Sequence, residues 1–343
     1  MPYKTTIQDI ARELNLTSAT ISRALHNNPR ISEQTKRLVV DAAKRLDYRR
    51  NKIASSLRSG RTHTIGVIIP SAQMTFFGSV VHGIQSIANT SGYSILLYQS
   101  EESTDQEIKA IEAFLGARVD GILVSIAKGT TDFSHFTELK MRKMPLVFFD
   151  RTNDSLDIPS VVIDDYKGAY YATEHLIEQG YKNIAHVSGQ QHLKVFHDRL
   201  LGYQDALKAN DMQLNDDYVY QGNISIESGK NAVDYFLQLA VPPDAVFAVE
   251  DFTALGVLQR LKEYNIKVPE NFGVIGFANE SFGEYITPAL STVDQQTVQM
   301  GKDAFTMLVE MIENNDVAVD KSSRVVLEPV LFCRKSSYKK EGL

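Results

Sequence analysis

Thr6-Ile7-Gln8-Asp9-Ile10-Ala11-Arg12-Glu13-Leu14-Asn15-Leu16-Thr17-Ser18-Ala19-Thr20-Ile21-Ser22-Arg23-Ala24-Leu25 is the stretch that decides how this chain is read. Ile7, Ile10, Ala11 and Leu14 recur three or four apart, so they share one face of a short helix. Thr6 followed by Asp9 predicts a capping box at its start. Leu16 fills a tight turn, and Thr17 caps a second helix whose Ile21, Ala24 and Leu25 face inward. Ser18, Ala19, Ser22 and Arg23 are left on the opposite side. A third helix is expected after Ser32, with Leu38, Val39, Ala42, Ala43 and Leu46 as its buried stripe. Three short helices with this spacing form a helix-turn-helix, whose second helix can enter the DNA major groove.

Working outward, the charge supports that reading over a merely solvated helix face. Residues 1–63 carry 13 Lys and Arg against 5 Asp and Glu, a net of +8. The rest of the chain carries 23 against 37, a net of −14, and the whole comes to −6. A basic head on an acidic body places one end on phosphate and keeps the other off it. Next comes Arg49-Arg50-Asn51-Lys52-Ile53-Ala54-Ser55-Ser56-Leu57-Arg58-Ser59-Gly60-Arg61. As a bare sequence this is a basic linker, too short to hold a helix by itself.

From Thr64 onward, short apolar β-rich runs alternate with helical stretches. Ile65–Ile69, Ser94–Tyr98, Gly121–Val124 and Pro145–Phe149 read as buried parallel strands, followed by Val161–Ile163, Ile184–Val187, Ala245–Val249 and Phe272–Gly276. The expected fold is a small all-α helix-turn-helix head plus an α/β core of parallel sheets with helices on both faces. Ligands of open parallel sheets sit at the carboxyl ends of the strands. The candidate lining is therefore Phe76, Phe77, Asp150, Asp164, Glu250 and Asp251, joined by Arg199 and Asn279. Aromatic faces beside carboxylates and an arginine fork suit a polyhydroxyl ligand such as a sugar. Each also has a plainer reading: the phenylalanines as core, and Asp164 and Asp251 as helix caps.

The run from Thr6 to Arg58, with Thr64-Ile65-Gly66-Val67-Ile68-Ile69-Pro70, resembles the lac-repressor/galactose-repressor family of bacterial transcription regulators. Asp198-Arg199-Leu200-Leu201-Gly202-Tyr203, Gly273-Val274-Ile275-Gly276-Phe277 and Thr287-Pro288-Ala289-Leu290 extend the likeness over nearly the whole chain. The resemblance implies a two-lobed, periplasmic-binding-protein-like core. It divides the chain into a head at 1–49, a hinge at 50–63 and an effector-binding and dimerisation core at 64–343. One lobe would take 64–163 and 296–323, the other 164–292 and 324–343. It implies DNA contacts from Thr17, Ser18, Ala19, Ser22 and Arg23, and from hinge residues Ala54, Leu57 and Arg58, with Leu57 as a minor-groove wedge. Arg23 is the candidate for pairing with guanine, a phosphate clamp being its alternative. Asp150, Arg199 and the Glu250-Asp251 pair match effector-contacting positions most securely. The sequence departs from the family after Gly276-Phe277, where Ala278 and Asn279 replace a frequent aspartate.

The expected partners are double-stranded operator DNA, a sugar-like effector and a second copy of the chain, with no membrane and no cofactor. Two heads on a two-fold axis would read a near-palindromic site. The polar tail at 336–343 carries no leucine heptad, which favours a dimer over a tetramer. Enzyme chemistry finds no support. No Gly-x-Gly-x-x-Gly follows a strand, no nucleophile elbow occurs, and the single Cys333 excludes an intrachain disulfide. His186, His192 and His197 have no metal-ligand spacing. Met1 to Thr5 lacks the apolar core of an export signal, so a bacterial cytoplasmic, nucleoid-associated regulator is expected. The alternative is a periplasmic-type sugar-binding protein without a regulatory DNA role.

Overall fold

The computed structural model describes residues 5–48, 60–314 and 323–339. It divides into two compact units, one ending at Thr62 and the other beginning at His63. The expectations for Ala54, Leu57 and Arg58 lie outside the described residues.

In the first unit, α1 (Ile7–Glu13), α2 (Ser18–Leu25) and α3 (Glu33–Arg45) surround one small core. Ile10, Ile21, Ala24, Val39, Ala42 and Ala43 are buried there, with Leu14, Leu16 and Leu46 packed at the edge. The predicted caps form. The Thr6 N–H donates to Asp9 Oδ2 at 2.9 Å, and Thr17 Oγ1 accepts from the Thr20 N–H at 3.1 Å. Arg45 and Glu13 tie α3 to α1 by an ion pair. Leu38, expected in the buried stripe, is 53% exposed. Val39, Ala42 and Ala43 already complete that face, and Leu38 stands about 100° of helix rotation from Val39.

The second unit holds two parallel sheets covered on both faces. β1 (Thr64–Ile69), β2 (Ser94–Gln99), β3 (Gly121–Val124), β4 (Leu146–Phe149), β5 (Ser160–Ile163) and β11 (Arg324–Leu327) form a sheet in the order β11-β5-β4-β3-β1-β2. Period-two alternation splits each inner strand between two cores. Ile65, Val67, Leu123 and Val147 face α4 (Thr75–Thr90) and α11 (Thr297–Glu313), while Ile68, Ile122, Val124 and Phe148 face α5 (Thr104–Ala117) and α6 (Ser134–Met141). The second sheet, β7-β6-β8-β9, is built from β6 (Ile184–Ser188), β7 (Val219–Gln221), β8 (Ala245–Ala248) and β9 (Gly273–Ile275). Its faces are covered by α7 (Asp165–Glu178) and α8 (Lys194–Ala209) on one side, and by α9 (Ile226–Phe236) and α10 (Asp251–Glu263) on the other.

Several expectations are corrected. β2 is an edge strand paired only with β1, so Leu96 and Leu97 are exposed rather than buried. β7, three residues long, was not anticipated. The last strand divides at Glu328-Pro329. β11 joins the first sheet, whereas β12 (Val330–Phe332) pairs with β10 (Thr292–Asp294) in the second lobe. Residues 324–327 therefore belong to the first lobe, not the second. Proline has no N–H to continue a ladder, which suits it to the point where the chain leaves one sheet for the other. The chain thus crosses between lobes three times, near Asp164, near Gln295 and at Glu328. Gln296 Nε2 donates to the Glu328 carbonyl, and Lys167 pairs with the Glu328 carboxylate, which fastens the crossings together.

Candidate functional site

On the head, Thr17, Ser18, Ala19 and Arg23 are exposed and Ser22 is half-buried. Their common side is fixed by Ile21 and Ala24 pointing into the core. The Ser22 carbonyl is engaged at 2.6 Å by His26 Nδ1 in the last turn. Helix α2 therefore presents a short polar face with one guanidinium on it, free of the packing that holds its other side.

In the body, the carboxyl ends of the two sheets border a cleft. Phe76, Phe77, Asp150, Arg199 and Glu250 line it as expected. The two phenylalanines lie in the first turn of α4, their rings edge to face at 4.9 Å. Phe77 also belongs to the first lobe's core, so it is both core and lining. Asp150 follows β4 at φ +59°, a left-handed conformation that Asp tolerates better than most residues. Ser125 Oγ donates to it at 3.1 Å. Burial holds its carboxyl above the ordinary range, although Arg151 and Arg199 pull the other way.

Arg199 stands in the second turn of α8, which begins at Lys194. Its guanidinium is almost wholly buried, stacked 3.7 Å from the centre of the Phe277 ring. Nε and Nη2 reach Asp165 Oδ1 at 2.8 and 2.7 Å, and Nη1 donates to the Val249 carbonyl at 2.7 Å. Three of its five N–H groups are thereby committed, and two remain for a ligand. Asp165 itself, despite this partner, is raised by burial to about 7.

Three expected residues do not line the cleft. Asp164 accepts the Lys167 N–H at 2.9 Å as the cap of α7, and its neighbour Asp165 is the one that meets Arg199. Asp251 is fully buried, taking Thr292 Oγ1 and the Glu280 N–H, both at 2.7 Å. It bolts the 278–280 loop to α10 rather than facing a ligand. Asn279 spends both ends of its amide on the protein: Nδ2 donates to Asp294 Oδ2 at 3.2 Å, and Oδ1 accepts from Arg334 Nη2 at 2.9 Å. Ala278, at φ +128°, lines the cleft in its place.

Sequence reasoning missed Met74, Arg151, Val195, Phe196, Ile224, Phe252, Glu280 and Gln295. Phe196 was legible, three residues before Arg199 on the same helix face. Arg151 pairs with Glu102 at 2.7 Å. Glu280 had no signal, because what it faces lies across the cleft: burial raises its carboxyl, while the Thr75 hydroxyl and the Phe76 N–H at the start of α4 pull it down. That helix has Met74 at its cap, which offers no side-chain acceptor. Glu250 caps α10 through Oε2, accepting from the Phe252 and Thr253 N–H groups at 2.9 and 3.3 Å. Burial, with Asp251 and Glu280 beside it, raises its pKa to about 8. Asp251 is raised by burial to about 7. Among the described residues, no group of three or more His, Cys, Asp or Glu could hold a metal ion, and no helix is long and apolar enough to cross a membrane.

Residues 62–336 match the family described as periplasmic binding proteins and sugar binding domain of the LacI family, and residues 6–51 match the bacterial regulatory proteins of the lacI family. The chain belongs to the LacI family of bacterial regulatory proteins. Catabolite control protein A of Priestia megaterium is 34% identical to it over 318 residues, 92% of this chain and 95% of that protein. The transcriptional repressor CytR of Escherichia coli (strain K12) is 30% identical over 312 residues, 91% of each chain. Among solved structures, a complex of the transcriptional regulator CelR with cellobiose superposes with a TM-score of 0.73 at 27% identity, over 97% of this chain and 100% of that one. This LacI-family chain is thus a DNA-binding regulator of transcription with an effector-binding body, and not an enzyme. A binding protein without a DNA role is set aside, because residues 6–51 match the bacterial regulatory proteins of the lacI family.

Proposed function

We propose that this regulator is a repressor whose affinity for its operator is set by a neutral sugar or sugar derivative held in the cleft between the lobes. The observation that carries the reading is the chemistry of the lining. Phe76, Phe77, Phe196 and Phe252 give apolar faces to a ring, while Asp150, Glu250 and the two spare N–H groups of Arg199 give edges for hydroxyls. The relative CelR is described with cellobiose, which agrees in chemical class. Bound between two lobes that already touch through Glu280, the sugar would stabilise the closed cleft. Effector and operator are then linked reciprocally, with a coupling of about 1–3 kcal/mol.

On DNA, Arg23 reads a base from the exposed face of α2, supported by Thr17, Ser18, Ala19 and Ser22. The hinge expected at 50–63 contributes Ala54, Leu57 and Arg58. The chain acts as a homodimer on a near-palindromic operator, in the bacterial cytoplasm at the nucleoid. The test is selection of genomic fragments by the purified full chain at moderate salt, with and without a panel of sugars. A palindromic motif whose occupancy shifts with a sugar supports the reading. Weak, salt-labile binding without a motif, unchanged by Leu57→Ala, would overturn it.

A further inference from the structure

The charges that line the cleft do not cancel. Its ionisable side chains are Asp150, Arg151, Arg199, Glu250 and Glu280. Both cations are spent on carboxylates outside the lining. Arg151 meets Glu102 at 2.7 Å, and Arg199 meets Asp165 at 2.7 Å. Asp150 stands 3.9 Å from Arg151 Nε, while Glu250 and Glu280 have no ion-pair partner among the described residues. Asp251, next to Glu250, is taken by Thr292 and the Glu280 N–H. Arg334, which holds Asn279, is paired with Glu284 at 2.9 Å. Among the described residues, the lining thus presents three carboxyl groups and no basic group to spare.

Glu250 is the most telling of the three. It is 8% exposed, and its Oε2 accepts from the Phe252 and Thr253 N–H groups. Its Oε1 accepts from no donor among the described residues, which leaves it to a ligand. The aromatic lining suits a cation as well as a ring face. The guanidinium carbons of Arg151 and Arg199 already stand 5.8 Å from the ring centres of Phe77 and Phe196. A bare metal ion is the wrong cation, because no group of three or more described carboxyl, imidazole or thiol side chains could hold one. An organic ammonium needs only one or two carboxyls, and it can carry hydroxyls for the rest of the lining.

We infer that the effector is a sugar derivative bearing a protonated amine, whose ammonium donates to Glu250 Oε1 in the negative field of Asp150 and Glu280. This rests on the sugar reading proposed above and selects the sugar derivative over the neutral sugar. One consequence separates the two. Burial holds a proton on Glu250, raising its pKa to about 8. An ammonium beside it favours the carboxylate, so binding near pH 6.5 should expel about one proton to the buffer. A ligand that offers only hydroxyls should expel none.

Calorimetric titration of the full chain near pH 6.5, in phosphate and again in imidazole buffer, reads affinity and proton release together. The probes are glucosamine, galactosamine and mannosamine, each beside its parent hexose and its N-acetyl derivative. One amino sugar should bind about 30-fold or more tightly than both of its neutral counterparts and release about one proton. Glu250→Gln keeps an acceptor for the cap of α10, and a melting temperature no lower than the parent's shows that it folds. It should abolish the proton release and reduce the preference for the amine about tenfold. A neutral sugar, from this panel or a wider one, that binds as tightly as any amino sugar would overturn the inference while leaving the sugar reading intact. So would amine binding without proton release, or a preference that Glu250→Gln leaves unchanged. Binding of no sugar, by a chain that still selects an operator, would overturn both.

Discussion

Replacing Glu250 by Gln should make the protein more stable at pH 8 and a poorer receptor. Glu250 has no cationic partner; burial and the neighbouring Asp251 and Glu280 raise its pKa to about 8 from an ordinary 4.5. Its carboxyl is therefore protonated in the folded chain over a range where the unfolded chain has released the proton. A raised folded pKa contributes stability in full below about pH 4.5, and that contribution is lost as pH rises through about 8. At 1.36 kcal/mol per unit, the loss has a ceiling of about 4–5 kcal/mol. Relaxation of a cleft open to water on one side reduces it, and about 2 kcal/mol is a reasonable expectation. Gln keeps an oxygen for the Phe252 and Thr253 N–H groups and cannot ionise, so it escapes the penalty while preserving the cap. Melting followed by calorimetry should then show Glu250→Gln within about 1 °C of the parent at pH 5. At pH 8 it should lie about 4–8 °C above the parent, taking about 2–4 °C per kcal/mol for a chain of this size. Effector affinity measured above pH 8, where the parent's Glu250 is ionised, should fall about tenfold, because a carboxylate accepts hydroxyl hydrogens more strongly than an amide does. A variant that melts below the parent at pH 8, or that shifts equally at both pH values, would refute the reasoning.

Further outcomes follow from other contacts. Arg23→Ala should relax selectivity at one base position of each half-site, about 1–3 kcal/mol, in a binding-site selection; uniform weakening over all sequences would assign it to phosphate instead. Glu280→Ala removes the carboxyl that faces the start of α4 across the cleft, and should cost about 1 kcal/mol and widen the cleft. Small-angle scattering of the unliganded chain would then give a larger radius of gyration, and an unchanged radius would show that the contact does not hold the lobes. In Gly301→Ala, the new methyl would clash with the Val80 carbonyl oxygen in α4. The two helices must then separate, and the melting temperature should fall by several degrees, a loss of about 1–3 kcal/mol; a neutral effect would show the helix pair to be loosely packed.

How much of this was legible depends on how local each cause is. The head was readable in full except for Leu38, because its caps lie within three residues of the groups they satisfy and its core repeats every three or four. The inner strands were readable because burial on both faces leaves unbroken apolar runs, as in Ile65–Ile69. β2 has the same composition, yet its place at the edge follows from strand order, which the run Ser94–Gln99 does not contain. The starts of α4 and α8 carry no local signal in the sequence. Met74 and Leu193 stand at their caps without any side-chain acceptor, so the usual signal of a helix beginning is absent.

The same distinction separates the site residues that were found from those that were not. Asp150, Arg199 and Glu250 follow from topology, since strand ends and the helices after them border the cleft, but the same rule also selects Asp164 and Asp251, which do not line it. Choosing between Asp164 and Asp165 requires the phase of α7. The residue at the cap turns back onto its own helix, and the next one, about 100° further round, reaches Arg199. Beyond β9 the backbone enters positive φ at Ala278 and again at Asn279, and those two turns decide which side chain faces the ligand. Ala278 does so with a methyl. The aspartate frequent in the family is thus absent at a position that does line the cleft, and Asn279 cannot replace it because its amide is held between Asp294 and Arg334. The acidic edge of this site comes instead from Glu250 and Glu280, one capping a helix of its own lobe and the other facing a helix of the lobe opposite.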